Sequence, residues 1–127
     1  MNVLYVCTGN SFRSPVAEAL TRRYQPELEA KSAGTEAVNH IASNAKELLA
    51  REDCLKFVKP MPDQISQQAI DEADLVVAMT QRHESYISKN FEINPANMVV
   101  WGIKDPINPG ISAEEAFELI LGHVKNL

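Results

Sequence analysis

Cys7 and Arg13 stand six positions apart in the stretch Cys7-Thr8-Gly9-Asn10-Ser11-Phe12-Arg13-Ser14, which places a thiol at one end and a guanidinium at the other. A thiol is a strong nucleophile once ionised, and a guanidinium offers two parallel N–H bonds to a pair of oxyanion oxygens, a geometry that lysine lacks. If the stretch is a loop that opens a helix, the successive N–H groups from Thr8 to Phe12 form an inward-facing nest, reinforced by the helix's own unpaired donors and positive dipole end. A phosphate-sized dianion fits that field, and the same field favours the thiolate form of Cys7. Gly9 and Asn10 tolerate the left-handed backbone that a tight loop demands, and the Ser14 hydroxyl can donate to the sulfur. Cysteine and arginine at this spacing also arise by chance; placement between a strand and a helix, with Gly-Asn inside and Ser-Pro after, makes the pattern specific.

The elements needed to hold that loop are legible around it. Val3 to Val6 is a short apolar run of β-formers, the pattern of a buried strand. Ser14 and Pro15 then start a helix whose face carries Val16, Ala19, Leu20 and Tyr24, and Pro26 ends it. Further along, the sequence predicts a strand over Leu28–Ser32, a helix over Ile41–Glu52, a short helical piece over Gln67–Glu72 and a strand over Leu75–Met79. Thr80 caps a helix to about Asn90, Asn97–Trp101 forms a fourth strand, and Ser112 with Glu115 makes a capping box for the last helix. Strands alternating with helices imply an α/β fold with a parallel sheet covered on both faces, whose ligands bind at the carboxyl ends of the strands. Cys7 lies at one such end and Asp105, just after the fourth strand, at another, so the two can converge on one edge of the sheet.

The chain has 127 residues, 45% hydrophobic and 23% charged, with a formal net charge of −5, which fits a single folded domain over 1–127. Its acidic balance and scattered charges give no footprint for nucleic acid or an anionic membrane. No apolar run approaches a membrane span, and residues 1–7 read as a strand instead of a signal peptide, so a cytoplasmic location is expected. Cys7 and Cys54, without a CxxC pair, suggest neither a disulfide framework nor a zinc site, and Cys54 reads as a buried structural thiol. His40, His83 and His123 read as surface or capping residues, and Trp101 as core. Taken alone, Asp105 before Pro106 reads as a turn residue.

The segment CTGNSFRSP resembles the signature loop of the low-molecular-weight protein tyrosine phosphatase family. SAGT at Ser32–Thr35, ADLVVAMT at Ala73–Thr80 with His83 after it, and Asp105-Pro106 stand where that family has related segments, so the resemblance covers nearly the whole chain. It implies a three-layer α/β fold whose four-stranded parallel sheet runs in the order 2-1-3-4, and a two-step reaction that uses neither metal nor other cofactor. Cys7 would attack phosphorus, Arg13 and the loop from Thr8 to Ser14 would hold the phosphoryl oxygens, and Asp105 would be the general acid. The partner implied is a phosphorylated protein; a monomer is the default expectation for a small domain of this size.

Three positions depart from the family pattern. Val38 and Ile107 stand where the substrate pocket is usually walled by aromatic residues, and Phe12 replaces a second cysteine. Ser11 stands where phosphoarginine-specific relatives carry threonine and tyrosine-specific ones a larger aliphatic residue, which leaves a phosphoarginine phosphatase as an alternative. Arsenate reduction needs two further cysteines where only Cys54 is available, and a non-catalytic phosphate-binding module would not need Asp105. The pocket walls are expected from residues 36–42 and 102–112.

Overall fold

The computed structural model describes residues 1–107 and 110–127. Four strands, β1 (Asn2–Cys7), β2 (Glu29–Gly34), β3 (Leu75–Ala78) and β4 (Met98–Val100), form one parallel sheet in the order β2-β1-β3-β4, as the resemblance implied. β1 is central, with Cys7 paired to Gly34 on one side and Val6 to Ala78 on the other. Its apolar residues run without alternation because both sheet faces are covered.

Successive side chains of β1 feed two separate cores. Val3, Tyr5 and Cys7 face α1 (Arg13–Tyr24), α2 (Ser43–Arg51) and α5 (Ala113–Lys125), packing among Val16, Leu20, Leu49 and Ile120. Leu4 and Val6 face α3 (Gln67–Glu72) and α4 (Gln81–Asn90), packing with Ile70, Val76 and Ile87. Tyr5 is fully buried and keeps its polar tip satisfied. Thr21 Oγ1 donates to the Ala17 carbonyl at 2.7 Å, so the Tyr5 hydroxyl donates to Thr21 at 2.6 Å. Burial pushes that phenol up to about 12.

The element boundaries fall within two residues of expectation, and two of the shifts bear on the site. β2 runs on to Gly34 because its last residues pair with the end of β1. α2 begins at Ser43 instead of Ile41 because Ile41 is buried in the core and the Ala42 amide bonds to the Ser11 carbonyl at 3.0 Å. The Ser112–Glu115 box closes both ways as predicted, at 3.1 and 3.3 Å. Among the described residues no helix is long and apolar enough to cross a membrane.

Candidate active site

The loop between β1 and α1 is shaped from outside by the segment that follows β2. The carbonyls of Cys7, Thr8, Gly9 and Ser11 accept N–H bonds from Thr35, Glu36, Val38 and Ala42, at 3.0, 2.8, 3.0 and 3.0 Å, and the Phe12 carbonyl accepts from Val16 in α1 at 2.9 Å. A peptide N–H points opposite to its C=O, so tying these carbonyls outward turns the loop amides toward the concave side, the arrangement of an anion nest. Asn10 makes the sharpest bend, at φ 52°, and Gly9 does not share that left-handed conformation. Asn10 holds it through a buried side chain that donates to Ser14 Oγ at 2.8 Å and Ser32 Oγ at 2.9 Å.

Within this bowl the Cys7 sulfur lies 2.9 Å from Ser14 Oγ. Arg13 is buried and anchored from behind, one Nη donating to the Ile103 carbonyl at 3.0 Å and the other to Thr8 Oγ1 at 3.4 Å. Two of its five N–H groups are thereby spent, and three remain for an oxyanion. Asp105 Oδ2 lies 3.7 Å from Arg13 Nη2, while Oδ1 accepts the Ile107 amide at 3.2 Å, so Asp105 is at once the turn residue its local sequence suggested and a carboxylate facing the cation. Cys7, Arg13, Phe12 and Asp105 line one cavity of about 350 Å³, with Val38 and Ile107 on its walls.

The orientation of Thr8 follows from His83. Burial, with help from the Arg13 and Arg82 cations, lowers the imidazole to about 4, so the ring is neutral near pH 7. Its Nδ1 accepts the Thr80 amide at 3.1 Å, which puts the proton on Nε2, the atom 2.8 Å from Thr8 Oγ1. Thr8 therefore accepts from both His83 and Arg13, leaving its own hydroxyl proton as a donor.

This geometry sits in a chain whose residues 2–127 match the model of the low molecular weight phosphotyrosine protein phosphatase family. The chain belongs to that family. One similar member is the low molecular weight protein-tyrosine-phosphatase Wzb of Escherichia coli K12, 41% identical over 83 residues, which cover 65% of this chain and 56% of that protein. The match thus spans little more than half the length of that curated relative. Among solved structures, the tyrosine phosphatase Wzb of Escherichia coli K30 in complex with sulphate superposes with a TM-score of 0.84 at 25% identity, covering 98% of this chain and 94% of that one. The YwlE arginine phosphatase of Geobacillus stearothermophilus gives 0.77 at 28% identity, covering 98% and 86%.

For this family member the expected residues gather, and the structure refines the readings of Ser11, Phe12, Trp101 and His83. Ser11 lines the cavity, and its hydroxyl donates to the His40 carbonyl at 3.0 Å, which ties the loop to its outer segment. Phe12, 9% exposed, packs in the core beneath the cavity it lines, and Trp101 is only partly buried, lying against Tyr5 and stacked on His123 at 4.6 Å. His83 caps α4 as expected but is 2% exposed, hence no surface residue. Asn108 and Pro109, part of the wall expected over 102–112, lie outside the described residues. Sequence reasoning missed the polar cluster behind Asn10, formed by Lys59, Ser32 and Glu18. Ser32 was visible in SAGT, but an isolated lysine before Pro60 carries no pattern. Burial raises the Glu18 carboxyl above its ordinary range, while the Ser32 hydroxyl, Arg22 and Lys59 pull it back.

Proposed function

We propose that the protein is a metal-independent, cysteine-dependent protein tyrosine phosphatase. The observation that carries this reading is the meeting of Cys7, hydrogen-bonded to Ser14 at 2.9 Å, with buried Arg13 and with Asp105 in one cavity. In the first step the Cys7 thiolate forms an S–P bond as the substrate's P–O bond breaks, and Asp105 gives its proton to the departing oxygen. Arg13, the loop amides and the Thr8 hydroxyl hold the equatorial oxygens as charge develops. In the second step water attacks phosphorus, Asp105 takes the water's proton, and the S–P bond breaks to return the thiolate and release phosphate. The phosphatase names of the Wzb relatives support the substrate class, and in this reading residues 1–127 act as one monomeric domain on cytoplasmic phosphoproteins.

A second reading, phosphoarginine hydrolysis, draws on the pocket walls. Val38 and Ile107 are aliphatic and open to solvent, 47% and 85% exposed, where an aryl ring would gain from aromatic partners, and the chain is also similar to YwlE, described as an arginine phosphatase. Both readings are tested by hydrolysis of phosphotyrosine, phosphoarginine and phosphoserine peptides without added metal. Wild type is expected to turn over the phosphotyrosine peptide best, Cys7→Ser to abolish turnover, and Asp105→Ala to reduce it by about 10²-fold or more. Full activity in Cys7→Ser would overturn the mechanism, and a preference for the phosphoarginine peptide would select the second reading.

A further inference from the structure

Lys59 is distant in sequence from the loop yet ends on it. Its side chain is 8% exposed, and its ammonium donates to Asn10 Oδ1 at 2.8 Å, to the Ser32 carbonyl at 2.9 Å and to the Asp63 carboxylate at 2.7 Å, with Ser32 Oγ at 3.3 Å. Lysine can only donate, so the atom it meets on Asn10 must be the oxygen. The Asp63 amide meets the same oxygen at 2.8 Å. Both N–H groups of the Asn10 amide then face Ser14 and Ser32, at 2.8 and 2.9 Å. Ser32 passes its proton on to Glu18 at 2.6 Å, and Glu18 is paired with Arg22 at 2.8 Å. Ser14 accepts from Asn10, and its one proton is left for the Cys7 sulfur at 2.9 Å.

We propose that Lys59 is a positioning residue for the nucleophile: with the Asp63 amide it fixes the polarity of the chain Lys59–Asn10–Ser14–Cys7, and its charge strengthens the bond that Ser14 donates to sulfur. This rests on the reading of Cys7 as nucleophile. The same donated bond serves the thiolate in both steps, as attacking group and as the group released from the phosphocysteine. The positive charge at the far end strengthens it, because each bond in such a chain polarises the next. Asp63 is 68% exposed and so offsets that charge through a solvated carboxylate, while Glu18 and Arg22 balance one another across Ser32. Cys7 shares its cavity with Arg13 and Asp105, and Thr8 links Arg13 to His83; none of these three side chains hydrogen-bonds to the side chain of Ser14 or Asn10.

The test is a double-mutant cycle on alkylation of Cys7 by iodoacetamide at pH 6.5, followed by mass spectrometry, with fully buried Cys54 as the internal control. Lys59→Met and Ser14→Ala are each expected to slow labelling of Cys7 by about tenfold, the scale of one hydrogen bond to a charged group, with the double variant no slower than Ser14→Ala alone. Turnover of an aryl phosphate should fall by a similar factor in kcat with KM changed less than about twofold. A wild-type labelling rate in Lys59→Met, or a double variant slowed by the product of the two factors, would overturn the proposal. If Lys59→Met does not fold, Lys59→Gln, which keeps a donor without the charge, enters the same cycle under the same criteria. Alkylation needs no turnover, so a wild type that labels as expected yet hydrolyses no phosphate would sink the phosphatase reading and leave the role of Lys59 standing.

Discussion

His83 has two uses in this molecule, and one imidazole serves both only while it is neutral. Its Nδ1 closes the first turn of α4 by accepting the Thr80 amide, and its Nε2–H orients Thr8 beside Arg13. Protonation would put a donor on Nδ1 where an acceptor is needed and a second cation next to Arg13. With the folded imidazole lowered to about 4 from 6.5, the unfolded chain takes up the proton first as pH falls. Between those values folding loses stability on acidification, by up to about 3 kcal/mol over the window. Below it both states are protonated and this term stops changing. His83→Gln removes the titration, so urea midpoints taken from pH 7 to 4 should show wild type well above the variant at pH 7 and the gap closing as pH falls. A gap that stays constant across that range would mean His83 titrates alike in both states. The sequence alone suggested a cap here, since Thr80 begins a helix and His83 lies three residues on. Burial of the ring and its reach to Thr8 are set by the packing of α4 against β3 and β4, which no local pattern encodes.

The element that shapes the bowl is the end of β2 with the strap that follows it. Gly34 pairs with Cys7 in register, and a side chain there would place Cβ 2.5 Å from the Thr8 carbonyl oxygen, 2.9 Å from the Asn10 nitrogen and 3.0 Å from the Gly9 carbonyl carbon. All three neighbours are backbone of the loop itself, and Gly34 is held from behind by bonds to Asp63 and Ile65, both at 2.9 Å. The loop must therefore move. Gly34→Ala is expected to cost about 1–3 kcal/mol in a denaturant titration and to lower turnover by about 10²-fold through displaced amides. Wild-type turnover in a folded Gly34→Ala would show that the loop tolerates the shift. Much of this framework was legible: strand, loop and helix around Cys7 follow from an apolar run, a Gly-Asn pair and a Ser-Pro start. The left-handed bend could be narrowed to Gly9 or Asn10 but not assigned between them, because the choice is made by Ser32 in β2 and by Lys59 and Asp63 from the segment after α2. Val38 and Ile107 were placed on the pocket by their distance from recognisable segments. Ser11 also lines the cavity, but its bond to the His40 carbonyl depends on the path of the strap and has no local signal.

At the scale of the molecule the two sides of the sheet are unequally covered, and the site draws on both. α1 is buried from Arg13 through Thr21 and α5 buries Phe117, Ile120, Leu121 and Val124, whereas α3 buries Ile70 alone and α4 only His83 and Ile87. Side-chain burial supplies most of the resistance to local opening, so α3 and α4 should open before α1 and α5. Cys7, Asn10 and Arg13 belong to the well-buried side, while His83, which orients Thr8, rides on the thinner one. Native-state hydrogen exchange is expected to show the amides of α4 opening at least about 2 kcal/mol more easily than those of α1. Inorganic phosphate held in the bowl would engage the Thr8 hydroxyl and, through it, His83, so saturating phosphate should raise protection in α4 as well as in the loop. Equal protection of α1 and α4 in the free protein would refute the unequal cover. A phosphate effect confined to the loop would show that α4 is not energetically tied to the site, and that the 2.8 Å contact between His83 and Thr8 does not transmit binding to the helix.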